Sequence, residues 1–139
     1  MKKIFMVEDN PDHAFLIKRG IEDAECSVKQ FSTGEAMVEA CAKLQDQEVP
    51  DLIFLDLKLP GMDGFDVLTA LRKLKAFACA PIVILSTSSR KEEIRKAYEL
   101  GAQSYAVKSE DFEILTSKLN RIKEYWFRVV ETVSGQKPS

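Results

Sequence analysis

Three almost wholly apolar runs, Lys3–Val7, Leu52–Leu55 and Ile82–Leu85, constrain this chain more than any other feature. They alternate with longer segments whose apolar residues recur at helical spacing. Strands that are apolar on both faces must be covered on both faces, so the runs belong at the centre of a parallel sheet between two helical layers. Two more mixed runs, Ser27–Gln30 and Ser104–Val107, suit the sheet edges. Helices are expected at about Asp12–Ala24, Gly34–Gln45, Phe65–Lys75, Lys91–Leu100 and Asp111–Val130. The first presents Phe15, Leu16, Arg19/Gly20 and Asp23 in successive turns, and Gly20 weakens it without ending it. Gly101 after "AYEL" reads as a helix C-cap. Pro50 and Pro81 each precede a strand, where a missing backbone donor does little damage.

At 139 residues, 45% hydrophobic and 30% charged, the composition is that of an ordinary globular protein. No repeat or long linker divides the chain, so residues 1–130 are expected to form one domain and 131–139 a flexible tail. The formal net charge of −2 gives no field for nucleic acid or anionic membrane. Basic clusters at Arg72/Lys73/Lys75 and Arg90/Lys91 read as solvated helix faces. Cys26, Cys41 and Cys79 have no metal-like spacing and read as reduced thiols. The apolar run after Met1 is too short for a signal peptide, and no later stretch suits a bilayer, so a cytoplasmic location is expected.

In an open parallel sheet, ligands bind in the crevice beyond the carboxyl ends of the strands. Here the first strand ends in "VEDN", the third in "LDLKLPG", the fourth in "ILSTS" and the fifth in "AVKS", which gathers Glu8, Asp9, Asp56, Ser86 and Lys108. Two carboxylates about 5 Å apart repel by roughly 3 kcal/mol at an effective dielectric constant of about 20. A divalent cation would relieve that repulsion, and oxygen-only ligation favours Mg²⁺, or Mn²⁺ in its place. A carboxylate so presented is also a nucleophile that can form an acyl phosphate, with Lys108 neutralising charge and Ser86 bonding a phosphoryl oxygen.

From "VEDNP", "LIFLDLKLPGMDG", "PIVILSTS" and "GAQSYAVK", in order and suitably spaced over about residues 3 to 125, the chain resembles a response-regulator receiver domain of two-component signalling. The resemblance implies a doubly wound α/β fold with strand order 2-1-3-4-5. It implies Asp56 as phosphoacceptor, Mg²⁺ on Asp9, Asp56 and the Lys58 carbonyl, and Glu8 acting through a metal-bound water. Ser86 matches the switch hydroxyl, Lys108 the phosphate-pairing lysine and Tyr105 the aromatic that turns inward. Backbone amides near Lys58 and Thr87 are implied as further phosphoryl donors. Many receivers follow the lysine with a cis-proline. Here Ser109 follows, and since a cis bond there would cost about 2.5–4 kcal/mol, a trans or strained bond is expected.

In the last helix, Phe112, Leu115, Leu119, Ile122, Trp126 and Val129 form an apolar stripe expected to dock on the sheet, while Ile114, Tyr125, Phe127 and Val130 fall off it. This ending is similar to single-domain regulators that partner bacterial phytochrome-type histidine kinases. It implies such a sensor kinase as donor and a homodimer through the fourth helix, fifth strand and fifth helix. No DNA-binding or enzymatic output segment is expected, so output falls to an unidentified downstream protein, and the chain is not expected to be a turnover enzyme. His13 reads as a solvated residue of the first helical turn. The alternatives are an aspartyl-nucleophile phosphatase, disfavoured by Lys58 where a second acid belongs, and a flavin-binding flavodoxin-like protein, disfavoured by the acidic "EDNPDH". A third is a degenerate receiver acting without phosphorylation, which Ser109 keeps open.

Overall fold

A computed structural model describes residues 1–132 of the chain; residues 133–139, which hold most of the expected tail, lie outside the described residues. Five parallel strands, β1 (Lys2–Val7), β2 (Cys26–Phe31), β3 (Leu52–Asp56), β4 (Ile82–Ser86) and β5 (Ser104–Val107), form one sheet in the order β2-β1-β3-β4-β5. The helices are α1 (Pro11–Ile21), α2 (Gly34–Ala42), α3 (Gly64–Lys73), α4 (Lys91–Glu99) and α5 (Phe112–Glu124).

Alternation along the strands splits the core into two layers. Ile4, Met6, Leu52, Phe54, Val83 and Leu85 pack with Ala14, Ile17 and Ile21 of α1 and with Leu115 and Leu119 of α5. Phe5, Val7, Ile53, Leu55, Ile82 and Ile84 pack on the opposite face with α2, α3 and Ala97 of α4. Leu52 to Leu55 are fully buried, and each such side chain contributes about 1.5–3 kcal/mol by leaving water. Both layers therefore clamp β3, the strand that ends in Asp56.

Several helix ends differ from expectation for local reasons. Helix α1 stops at Ile21 rather than Ala24, because Glu22 turns extended and its carboxylate accepts the Val28 N–H at 2.9 Å. An Asp23–Cys26 bridge then starts β2. Its buried stripe is Ala14, Ile17 and Ile21, so Phe15 and Leu16 face solvent. Gly20 faces α5, where a Cβ would stand 2.4 Å from Thr116 Cγ2. Helix α2 ends at Ala42 rather than Gln45, and α3 ends at Lys73, followed by a 3₁₀ turn, Lys75–Phe77, that buries Phe77. The Arg72 guanidinium holds that turn by donating to the carbonyls of Phe77, Ala80 and Gly101. Helix α4 ends as expected, with Gly101 at φ +108° donating to Tyr98 O and Ala102 to Ala97 O.

The expected stripe of the last helix is broken after Glu124. Tyr125–Val129 form a π-helical turn, closed by the Val130 N–H on Tyr125 O at 3.2 Å. The wider turn shifts the helix phase. Phe127 therefore packs on the core with Trp126, while Val129, expected to dock, is 65% exposed.

Gly64 closes the loop after β3. Its N–H donates to Leu57 O at 3.0 Å, and a Cβ there would stand 2.5 Å from Asp56 O and 2.6 Å from Leu57 Cα. Both are backbone atoms and cannot rotate aside. Gly64→Ala is expected to lower stability by about 1–3 kcal/mol in urea titration, because the strand end and the start of α3 must separate.

Candidate functional site

The site lies at the carboxyl ends of β1, β3 and β5. Glu8 follows β1, Asp56 is the last residue of β3, and Lys108 follows β5. The sheet therefore brings together groups that are far apart in sequence. Glu8 and Asp56 are buried and Asp9 is exposed. One carboxylate oxygen from each lies within 4.8 Å of the others.

Lys108 joins the two buried acids. Its Nζ donates to Glu8 Oε1 at 2.7 Å and to Asp56 Oδ2 at 3.0 Å. The remaining oxygens take backbone donors: Asn10 N–H reaches Glu8 Oε2 at 3.2 Å, and Lys58 N–H reaches Asp56 Oδ1 at 3.1 Å. No cis peptide occurs among the described residues, so the bond before Ser109 is trans, as expected. Lys108 still reaches both acids.

Burial pushes the Asp56 carboxyl above its usual range; Lys108 opposes this and Glu8 adds to it. For Lys108, burial is the largest effect and disfavours the ammonium, but the bond to Glu8 and the charge of Asp56 outweigh it and hold the amine above its usual range. Three carboxylates face one ammonium, so the cluster keeps a formal excess of negative charge. Its donors are all oxygens, and one of them opens to solvent. That set suits a hard divalent cation that keeps part of its water shell, and Glu8, Asp9 and Asp56 are the side chains that would hold it.

Ser86 is fully buried at the end of β4, and its Oγ accepts the Ser88 N–H at 3.1 Å. The half-buried Tyr105 donates its hydroxyl to Ser88 O at 2.9 Å. Ser86 and Tyr105 thus meet at one residue of the loop before α4. Thr87 is exposed beside them. The Lys58 side chain reaches α4, where its Nζ lies 3.5 Å from Glu93 Oε2. Sequence reading missed Glu93, since no spacing relates it to the strand ends. His13 is exposed, with its ring edge-on to Phe112. All three cysteines are free; burial raises the Cys26 thiol and pushes Cys41 up to about 12.

The model of the response regulator receiver domain matches residues 4–120. The chain belongs to that family. The receiver is 33% identical over 127 residues to the probable methanogenesis regulatory protein FilR2 of Methanothrix harundinacea, covering 88% of this chain and 82% of that one. It superposes on the phosphorylated cyanobacterial phytochrome response regulator RcpA with a TM-score of 0.84 at 31% identity, covering 96% of this chain and 99% of that one. The Mn²⁺-bound form of response regulator Rcp1, a Synechocystis protein, gives 0.81 at 26% identity, covering 96% and 100%. The receiver spans about half or less of several longer curated relatives. No helix among the described residues is long and apolar enough to cross a membrane.

The raised Asp56 carboxyl sets a pH-dependent stability. A carboxyl whose folded value lies above its unfolded value favours the fold below the unfolded value, and that contribution is lost as pH rises through the folded one. At neutral pH the ionised Asp56 of this receiver therefore opposes folding. Asp56→Asn is expected to raise the thermal midpoint of the metal-free protein at pH 7, and the gain should vanish below about pH 3.8. Calorimetry across pH in the presence of chelator checks both.

Proposed function

We propose that this receiver takes a phosphoryl group onto Asp56 from the phosphohistidine of a sensor kinase. The observation that carries the reading is the Lys108 bridge between Glu8 and Asp56 with Asp9 beside it, because phosphoryl transfer asks mainly for positioning and charge neutralisation. An Asp56 carboxylate oxygen attacks phosphorus, the P–N bond breaks, and the imidazole leaves with the electron pair and takes up a proton. The product is an acyl phosphate, and Lys108 supplies a cation beside it. When bound by Asp9, Asp56, the Lys58 carbonyl and, through water, Glu8, Mg²⁺ or Mn²⁺ would neutralise charge on the transferring group. Backbone amides near Lys58 and Thr87 are suited to donate to the phosphoryl oxygens.

The switch is the loop before α4. The Ser86 hydroxyl now meets the Ser88 N–H, and Tyr105 holds the Ser88 carbonyl. A phosphoryl oxygen that recruits Ser86 removes the first of these bonds and lets Tyr105 turn inward, which biases an existing two-state element. Its chemistry is self-phosphorylation and autodephosphorylation rather than turnover of a substrate. Supporting this over a phosphorylation-independent module is the placement of Lys108 on both acids despite Ser109.

Likeness to RcpA, a phytochrome response regulator, supports a phytochrome-type kinase as donor, and a cytoplasmic setting belongs to the same reading. A homodimer through α4, β5 and α5 is supported by exposed Tyr98, Ile114, Tyr125 and Val129. A separate downstream protein reads the switch.

Intact mass after incubation with acetyl phosphate and Mg²⁺ tests the acceptor. One added phosphoryl group is expected on the native chain and none on Asp56→Asn or with chelator; an equal gain on Asp56→Asn would assign the acceptor elsewhere. Light scattering tests the pairing. A dimer mass is expected for the native chain and a monomer for Tyr125→Glu combined with Val129→Glu, whereas a native monomer at tens of micromolar with and without phosphorylation removes the homodimer.

A further inference from the structure

Two side chains on one face of α4 reach across to the loop after β3 and to the first turn of α3. Glu93 Oε2 lies 3.5 Å from Lys58 Nζ, and Lys96 Nζ lies 4.4 Å from the centre of the Phe65 ring. Lys58 and Glu93 also share the wall of an open groove with Asp9 and Asp63. The ion pair is uneven: the Lys58 side chain is 62% exposed and that of Glu93 18%. The other carboxylate oxygen, Glu93 Oε1, is buried with no hydrogen-bond partner among the described residues. The Ser88 hydroxyl first, and then the Lys58 ammonium, hold the Glu93 carboxyl below its usual range against the cost of burial, so Glu93 ties Lys58 to the loop before α4.

Lys58 has a second anionic neighbour. Its own N–H is anchored on Asp56 Oδ1, so its ammonium swings on a flexible four-carbon stem from the edge of the acid site. That site sets Glu8, Asp9 and Asp56 against the single cation Lys108. The two ends of α4 are held unequally. Its C-terminus is fixed by Gly101 and by the Arg72 guanidinium, whose Nε and Nη2 donate to Gly101 O at 2.9 and 2.7 Å. At its N-terminus, Arg90 supplies no side-chain capping bond.

We propose that Glu93 is a positioning residue that holds the Lys58 ammonium on the α4 side of the groove, and that phosphoryl oxygens set on Asp56 compete with Glu93 as acceptors for Lys58 and free the first turn of α4. The second half rests on the reading of Asp56 as the group that is phosphorylated. The first half stands on the ion pair alone. Lys58 is then a shared cation: its backbone stays with Asp56 while its side chain reports the occupancy of the site to the first turn of α4.

The test is amide hydrogen exchange of Ile94 to Ala97 in the full chain, measured by NMR. Lys58→Gln and Glu93→Gln are each expected to speed exchange there by about two- to fivefold, the strength of a partly exposed pair. The double variant should match the singles, and the exchanged pair Lys58→Glu with Glu93→Lys should restore protection. Unchanged rates in the singles, or additive effects in the double, would overturn the positioning role. Beryllofluoride with Mg²⁺ then serves as the phosphoryl probe, expected to raise native exchange to the level of the variants and to leave the variants where they are. If the amides of Leu57 to Leu59 respond to the probe while those of Ile94 to Ala97 do not, the transfer of Lys58 is overturned. If no amide near Asp56 responds, it is the reading of Asp56 that fails, and the comparison of variants without probe still decides the positioning role.

Discussion

The contact on which the rest of the site depends is the Lys108 ammonium between Glu8 and Asp56. Two carboxylates cannot both stay ionised in a buried crevice without a nearby cation. One lysine answers both, and it does so from the end of an edge strand. Its reach ties the end of β5 to the ends of β1 and β3, across the intervening β4. The compensation is partial, since three acids face one base, and that remaining charge is what makes the crevice receptive to a cation.

The fold serves this arrangement by burying β3, like β4, along its whole length. Both core layers close on it, so Asp56 is delivered by a rigid element into a polar mouth. Beyond it the chain turns back at once, because Gly64 lets the start of α3 lie against the strand end. That turn aims the Lys58 N–H at Asp56 and the Lys58 side chain at α4. A single loop thereby faces the Asp56 carboxylate with its backbone and α4 with its side chain.

The crevice contrasts with the loop before α4. Ser86 and Tyr105 hold it through opposite sides of Ser88, with two neutral hydrogen bonds where the acid site has charge-assisted ones.

Sequence periodicity carried most of the fold. The double-sided apolar runs named the central strands, the mixed runs named the edges, and the residues just past the strand ends named Glu8, Asp9, Asp56, Ser86 and Lys108 as neighbours. Local pattern failed where two readings of a helix were equally apolar, as with Phe15 and Leu16 on α1, or where the helix changed pitch, as at Tyr125–Val129. It could not foresee Glu93 or the Arg72 clasp, since a charged residue on an exposed-looking helix carries no local mark of its partner. The chain by itself determined which faces are buried and which acids gather, because burial and strand polarity follow from spacing. Only the tertiary structure decided which cation meets which anion, because crossing connections bring together Lys108 with Glu8 and Lys58 with Glu93 across distances that no spacing encodes.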